Sequence, residues 1–195
     1  LFAAQIAKDV NCDYNLARQL LERYLAGQVA STAHTAEVLQ NLGAVLYDQG
    51  DVAGALSKFE ESLAMRREVH DDKPHPDIAS SLHSIGLVLR EQGDLAGALS
   101  KLEESLAMRR DVYGDRPHPD IARTMHSIGV VLRRQGDLAG ALSKFGESLA
   151  MRHDVHGDKP HPGIASSLNA IGLVLRRQGD LAGALSKYEE SLAMR

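Results

Sequence analysis

Gly93-Asp94-Leu95-Ala96-Gly97-Ala98-Leu99-Ser100-Lys101 is a nine-residue block that returns unchanged at Gly136 and Gly179, and at Gly50 with Val52 in place of leucine. Each copy starts 43 residues after the one before it. A fixed period of roughly 20–50 residues is the mark of a repeat array, in which each unit buries its apolar face on its neighbours. The block therefore points to a solenoid before any single helix is read.

Working outward from Gly93, the upstream residues Ile78, Leu82, Ile85 and Leu89 recur at spacings of four, three and four, which is one face of a 3.6-residue helix. This helix A opens at His75-Pro76-Asp77, where proline suits a first turn whose N–H has no partner and Asp77 complements the positive end of the helix dipole. It stops at Gln92-Gly93, since glycine takes the left-handed conformation of a helix end without penalty. Asp94 is then the N-cap of helix B, with Leu95, Ala98, Leu99, Leu102 and Leu106 on its apolar stripe. Helix B runs through Met108 and Arg109 to the turn at Tyr113-Gly114-Asp115-Arg116-Pro117. Gly86 lies on the packed stripe of helix A, where a small residue lets the two helices approach closely. Gly97, Gly140 and Gly183 lie elsewhere on helix B and read as tolerated surface positions or points of local flexibility.

Composition narrows the class. Of 195 residues, 44% are hydrophobic and 25% charged, as in an ordinary folded chain, and the formal net charge of −4 argues against a general binder of nucleic-acid phosphates. The only cysteine, Cys12, admits no intramolecular disulfide, which fits a reducing compartment and a cytoplasmic location. No apolar run reaches the ~18 residues of a membrane span, and residues 1–10 do not resemble a signal peptide.

Leu82, Ile85, Gly86 and Leu89 in helix A, with Ala98, Leu102 and Leu106 in helix B, resemble the tetratricopeptide repeat signature. The His-Pro-Asp-Ile-Ala openings at His75 and His118 and the Ser-Leu-Ala-Met-Arg endings at Ser62, Ser105, Ser148 and Ser191 are similar to the longer repeats of the kinesin light chain type. The resemblance implies an all-α fold, a right-handed α-solenoid of antiparallel helix pairs. The units expected are 33–74, 75–117, 118–160 and a truncated 161–195. Residues 1–32 read either as a degenerate repeat or capping helix pair, or as part of a separate small helical domain. Both ends look cut from a longer array, and the heptad segment that joins kinesin light chains to their motor is not in the sequence, so motor association is not implied.

In arrays of this kind helix A lines a concave groove, and fold alone does not say what the groove holds. The positions expected to be exposed are those off the apolar stripe. They are Glu37, Gln40, Ala44 and Tyr47 in the first unit, and Ser80, His83, Leu87 and Arg90 in the second. In the third they are Arg123, His126, Val130 and Arg133, and in the fourth Ser166, Asn169, Leu173 and Arg176. Arg90, Arg133 and Arg176 recur at one repeat interval, with Leu87, Val130 and Leu173 between them. Guanidinium forks pair with carboxylates, so the pattern fits a peptide of a partner protein carrying acidic residues beside an apolar anchor.

Catalytic chemistry is not written in the chain. His83 and His126 have no nucleophile or carboxylate at triad spacing on their helices. His153, His156 and His161 suggest a metal only loosely, because the second unit has Arg110, Tyr113 and His118 there. The glycines lack the Gly-x-x-x-x-Gly-Lys-Ser/Thr order of a phosphate loop, and Cys12 beside Asp13 is a poor candidate for an activated thiol. The expectation is a non-catalytic interaction scaffold without cofactor or metal, contacting neither nucleic acid nor membrane. The alternatives are a structural spacer or self-associating array, or the regulatory arm of a longer multidomain protein.

Overall fold

A computed structural model describes residues 32–114, 116–157 and 159–194, together with Asn15, Arg18, Gln19, Leu21 and Glu22. The readings of Cys12 and of most of 1–32 lie outside the described residues. Eight helices and no strands occur among the described residues: α1 Thr32–Asp48, α2 Val52–Val69, α3 Pro76–Gln92, α4 Leu95–Tyr113, α5 Pro119–Gln135, α6 Leu138–His156, α7 Pro162–Gln178 and α8 Leu181–Ala193. The chain divides into two compact units, Leu1–Lys101 and Leu102–Arg195, and α4 crosses the division.

In the first unit α1 packs on α2 and α2 on α3. Ser62 on α2 donates to the Ala36 carbonyl on α1 at 2.7 Å, and Phe59 lies against Gly43, so contacts advance along one helix as they retreat along the other. That crossing is antiparallel. A Cβ on Gly43 would stand 2.7 Å from the Phe59 ring, so glycine is what allows this approach.

The second unit repeats the arrangement twice. Ser148 donates to the Ala122 carbonyl at 2.7 Å and Ser191 to that of Ala165 at 2.8 Å. A Cβ on Gly129 would meet Phe145 at 2.7 Å, and one on Gly172 would meet Tyr188 at 2.6 Å. Ala141, Phe145, Ala170 and Val174 form a buried cluster at the meeting of α6 and α7, with Val130, Leu142 and Ile171 against it.

Helix limits follow the local signals. Gly93, Gly136 and Gly179 sit at φ of 86, 90 and 90°, as stops after Gln92, Gln135 and Gln178. Asp51, Asp94, Asp137 and Asp180 accept the N–H of Gly54, Gly97, Gly140 and Gly183 at 2.8–2.9 Å. This gives Gly97, Gly140 and Gly183 a role beyond that of a tolerated surface position, and Gly54 shares it. A Cβ on them would stand 2.2–2.5 Å from the capping carboxylate, so the residue is small because the cap folds over it.

Candidate functional site

Each helix A is entered through a histidine from α3 onward. Nδ1 of His75 accepts the Asp77 N–H at 3.2 Å, that of His118 the Asp120 N–H at 3.1 Å, and that of His161 the Gly163 N–H at 3.0 Å. The histidine thus takes the place usually held by Ser, Thr or Asp at an N-cap. Its ring stacks on the last turn of the preceding helix or just beyond it, His75 on His70 at 3.5 Å, His118 on Tyr113 at 3.5 Å and His161 on His156 at 3.7 Å. Burial, together with the neighbouring His70 and Arg66, holds His75 below the ordinary histidine value, against the opposing pull of Asp77. Burial, His156 and Arg152 do the same at His161.

A buried arginine completes each of these junctions. Arg66 Nη1 donates to the Asp77 carbonyl and to Ser81 Oγ, both at 2.8 Å, and to Gln40 Oε1 at 3.3 Å. Arg109, 1% exposed, donates to the Asp120 carbonyl at 2.5 Å and to Thr124 Oγ1 at 2.7 Å. Arg152 reaches the Gly163 carbonyl. Burial lowers all three guanidinium groups from their usual value, Arg109 to about 10. These arginines close the Leu-Ala-Met-Arg runs. A charge repeated at the end of an apolar stripe was the available signal for them.

The helix A positions separate into three kinds. Gln40 is committed to the framework: Oε1 accepts from Ser81 and Arg66, and Nε2 donates to Ser84 at 2.9 Å. His83 is 5% exposed, which corrects the expectation that it faces open groove. The reason is that α3 buries Ile78, Ala79, Ser81, Leu82, His83, Ile85, Gly86 and Val88, a wider arc than one apolar stripe. His126 is half-buried with its ring tilted against Phe145 at 5.1 Å, and Val130 packs on the α6 and α7 cluster.

A second set is accessible but already paired. Arg90 holds Glu91 at 2.6 Å, and Arg123 holds Asp120 at 2.9 Å one turn earlier on α5. The third set is open. Tyr47 and Leu87, with Ala44, Asp48 and Ser84, wall a cavity of about 140 Å³ in the first unit, with Phe59 also in its lining. In the second unit Asn169, Leu173 and Arg133 are half-buried and Arg176 is exposed. Among the described residues Arg133 and Arg176 pair with no carboxylate, and Arg177 reaches back to the Arg133 carbonyl at 3.1 Å.

A larger opening of about 630 Å³ in the first unit is lined by His34, Glu37, Gln40, Asn41, Arg66 and Asp77 among others. Much of this polar wall is paired with itself, His34 with Glu37 at 3.5 Å and Arg66 with Gln40. Among the described residues His70, His75 and Asp77 are the group that could converge on a metal ion. The cap argues against it, because accepting the Asp77 N–H occupies the Nδ1 lone pair and leaves the ring proton on Nε2. A metal would have to displace either the cap or that proton. His153, His156 and His161 do not form such a group among the described residues.

These features define a helical repeat protein built of antiparallel helix pairs joined through histidine-capped junctions. The chain belongs to the tetratricopeptide repeat family, whose model matches residues 31–111, 77–154 and 120–195. No curated protein matches the sequence. Among solved structures, BtubC (BKLC) from P. vanneervenii is similar over 94% of this chain and 74% of its own, at 16% identity and a TM-score of 0.82. A protein from Podosopora anserina, described as a putative kinesin light chain with nearly identical TPR-like repeats, is similar over 99% of this chain and 91% of its own. Its identity is 19% and its TM-score 0.77. The Rap conjugation gene regulator of plasmid pLS20, solved with the Phr* peptide, matches over 99% of this chain and 49% of its own, at 19% identity and a TM-score of 0.74. The fold is all-α, of the tetratricopeptide solenoid class. No helix among the described residues is long and apolar enough to cross a membrane.

Proposed function

We propose that this chain is a non-catalytic interaction scaffold that holds a peptide segment of a partner protein against its helix A surfaces. The observation that carries the reading is the opening of about 140 Å³ between α1 and α3, walled by Tyr47 and Leu87 and of a size for one apolar side chain. Arg133 and Arg176 supply positive charge with no carboxylate partner among the described residues, which suits an acidic group on the ligand. The peptide bound in the Rap regulator supports the reading, since a protein of similar fold takes such a ligand. A single cysteine, which admits no intramolecular disulfide, is in keeping with a reducing, cytoplasmic setting.

The test is selection of binding peptides from a displayed random library, followed by titration of the best one. Arg133→Glu with Arg176→Glu should weaken it by tenfold or more, because each charge-assisted contact is worth about 1.5–3 kcal/mol. Tyr47→Ala should weaken peptides bearing an apolar anchor. A library that yields no binder, or a binder indifferent to all three substitutions, would overturn the reading.

A further inference from the structure

The three histidine-capped junctions share one geometry and differ in one residue. The helix entered by His75 continues Pro76-Asp77, that entered by His118 continues Pro119-Asp120, and that entered by His161 continues Pro162-Gly163. In each, the cap needs the Nδ1 lone pair of a neutral ring, so an added proton and the backbone N–H compete for the same atom. The consequence of protonation depends on the residue two places after the histidine. Nδ1 of His75 lies 3.6 Å from Asp77 Oδ2 and that of His118 lies 3.9 Å from Asp120 Oδ2. There a protonated ring can exchange its cap for an ion pair with the same helix turn. Gly163 offers no carboxylate.

The other groups facing His161 separate it further from His118, which stacks on Tyr113; at His75 they have counterparts in His70 and Arg66. From α6 come His156, stacked on its ring at 3.7 Å, and Arg152, whose guanidinium holds the Gly163 carbonyl. Both disfavour a proton on His161, and from its own helix the described residues bring no acid to it. Asp158, in the connecting turn, lies outside the described residues. We propose that the entry of α7 is an acid-operated latch, closed while His161 is neutral and released when it is protonated, and that the entry of α5 is protected from acid by Asp120; at the entry of α3, Asp77 is opposed by His70 and Arg66 and only softens the same response. The latch lies at the foot of the helix that bears Asn169, Leu173 and Arg176, so its release loosens that surface whatever the ligand.

His161 is held below its ordinary value, so the fold favours the neutral ring. Its contribution is complete above about pH 6.5 and is lost as pH falls, by at most about tenfold for each pH unit.

Amide hydrogen exchange resolved by NMR, corrected for intrinsic rates, tests this on the intact chain. Between about pH 6.5 and 5.5 the opening constant at the Gly163 and Ala165 amides should rise by about threefold to fivefold, that at Asp120 by less than about twofold, and that at Asp77 by an intermediate factor. His161→Asn keeps a cap that does not titrate, and should abolish the rise. Gly163→Asp installs the carboxylate of the other junctions and should do the same, once Arg152 and the His161 ring, 3.0–3.3 Å from the new Cβ, give slightly. Asp120→Gly should create a new rise at α5. A wild-type chain with no selective opening at α7, or a rise that persists in His161→Asn, overturns the proposal.

Discussion

Arg109 offers the sharpest test of how these repeats are held together. Its guanidinium is 1% exposed, and burial lowers it from its usual value to about 10 despite the nearby Asp120. A displacement of that size corresponds to about 3 kcal/mol disfavouring the charge. Against this stand two charge-assisted hydrogen bonds, to the Asp120 carbonyl and to Thr124 Oγ1, at about 1.5–3 kcal/mol each. The charge is therefore close to balanced, and the side chain's packing decides what its loss costs.

Two substitutions separate charge from packing. Arg109→Met removes the charge and both bonds but fills most of the space. The Asp120 carbonyl keeps a partner, because Thr124 Oγ1 donates to it at 2.9 Å. The expected cost is about 0–2 kcal/mol, in line with buried ion groups that can be replaced by apolar ones. Arg109→Ala loses the same bonds and leaves a cavity, which adds about 2–5 kcal/mol by analogy with other large-to-small core changes. Urea unfolding, read by helical circular dichroism and compared at the midpoint, measures both. Alanine should be worse than methionine by at least about 2 kcal/mol. Equal losses, or a methionine variant that costs more than about 4 kcal/mol, would show that the charge itself holds the junction and refute the balance.

Other outcomes are expected from the glycines. Gly140→Ala, which in an ordinary helix gains about 1 kcal/mol, should gain nothing here, because its Cβ would stand 2.2 Å from the Asp137 carboxylate and displace the cap. In an Asp137→Ala background the same substitution should recover the gain, a coupling of about 1 kcal/mol by double-mutant cycle. Gly129→Ala should cost about 1–3 kcal/mol by overpacking on Phe145, less the helix-propensity gain, and Phe145→Leu should relieve most of that cost in thermal melts.

The helix limits were legible because their signals are local. His-Pro-Asp opens α3 at Pro76, and Gln92-Gly93 closes it, with no need of a neighbour. The helix-pair fold was legible from the 43-residue period and the helical spacing of the apolar residues within it. The surface was harder, because the state of a side chain depends on what stands beside it. His83 looked open on a helical wheel and is buried, since α3 packs through a wider arc than its apolar stripe. Gln40 looked like a groove residue and belongs to the Arg66 and Ser81 network. The capping histidines went unread because histidine is not among the usual cap residues, and the helix B glycines because their constraint comes from a folded carboxylate.

The differences among repeats are therefore more informative than their likeness. Arg90, Arg133 and Arg176 are one residue at one register, yet they do not have one chemistry. Arg90 is followed by Glu91, which neutralises it at 2.6 Å. The same position after Arg133 and Arg176 holds Arg134 and Arg177, so the acid is replaced by a second base, and Arg177 is drawn onto the end of α5. Part of this charge is explained by the negative ends of α5 and α7, which favour cations in their last turns. That explanation applies equally to α3, which ends with a single paired arginine. The accumulation in the second unit thus exceeds what helix ends require, and it stands out in a chain of net charge −4.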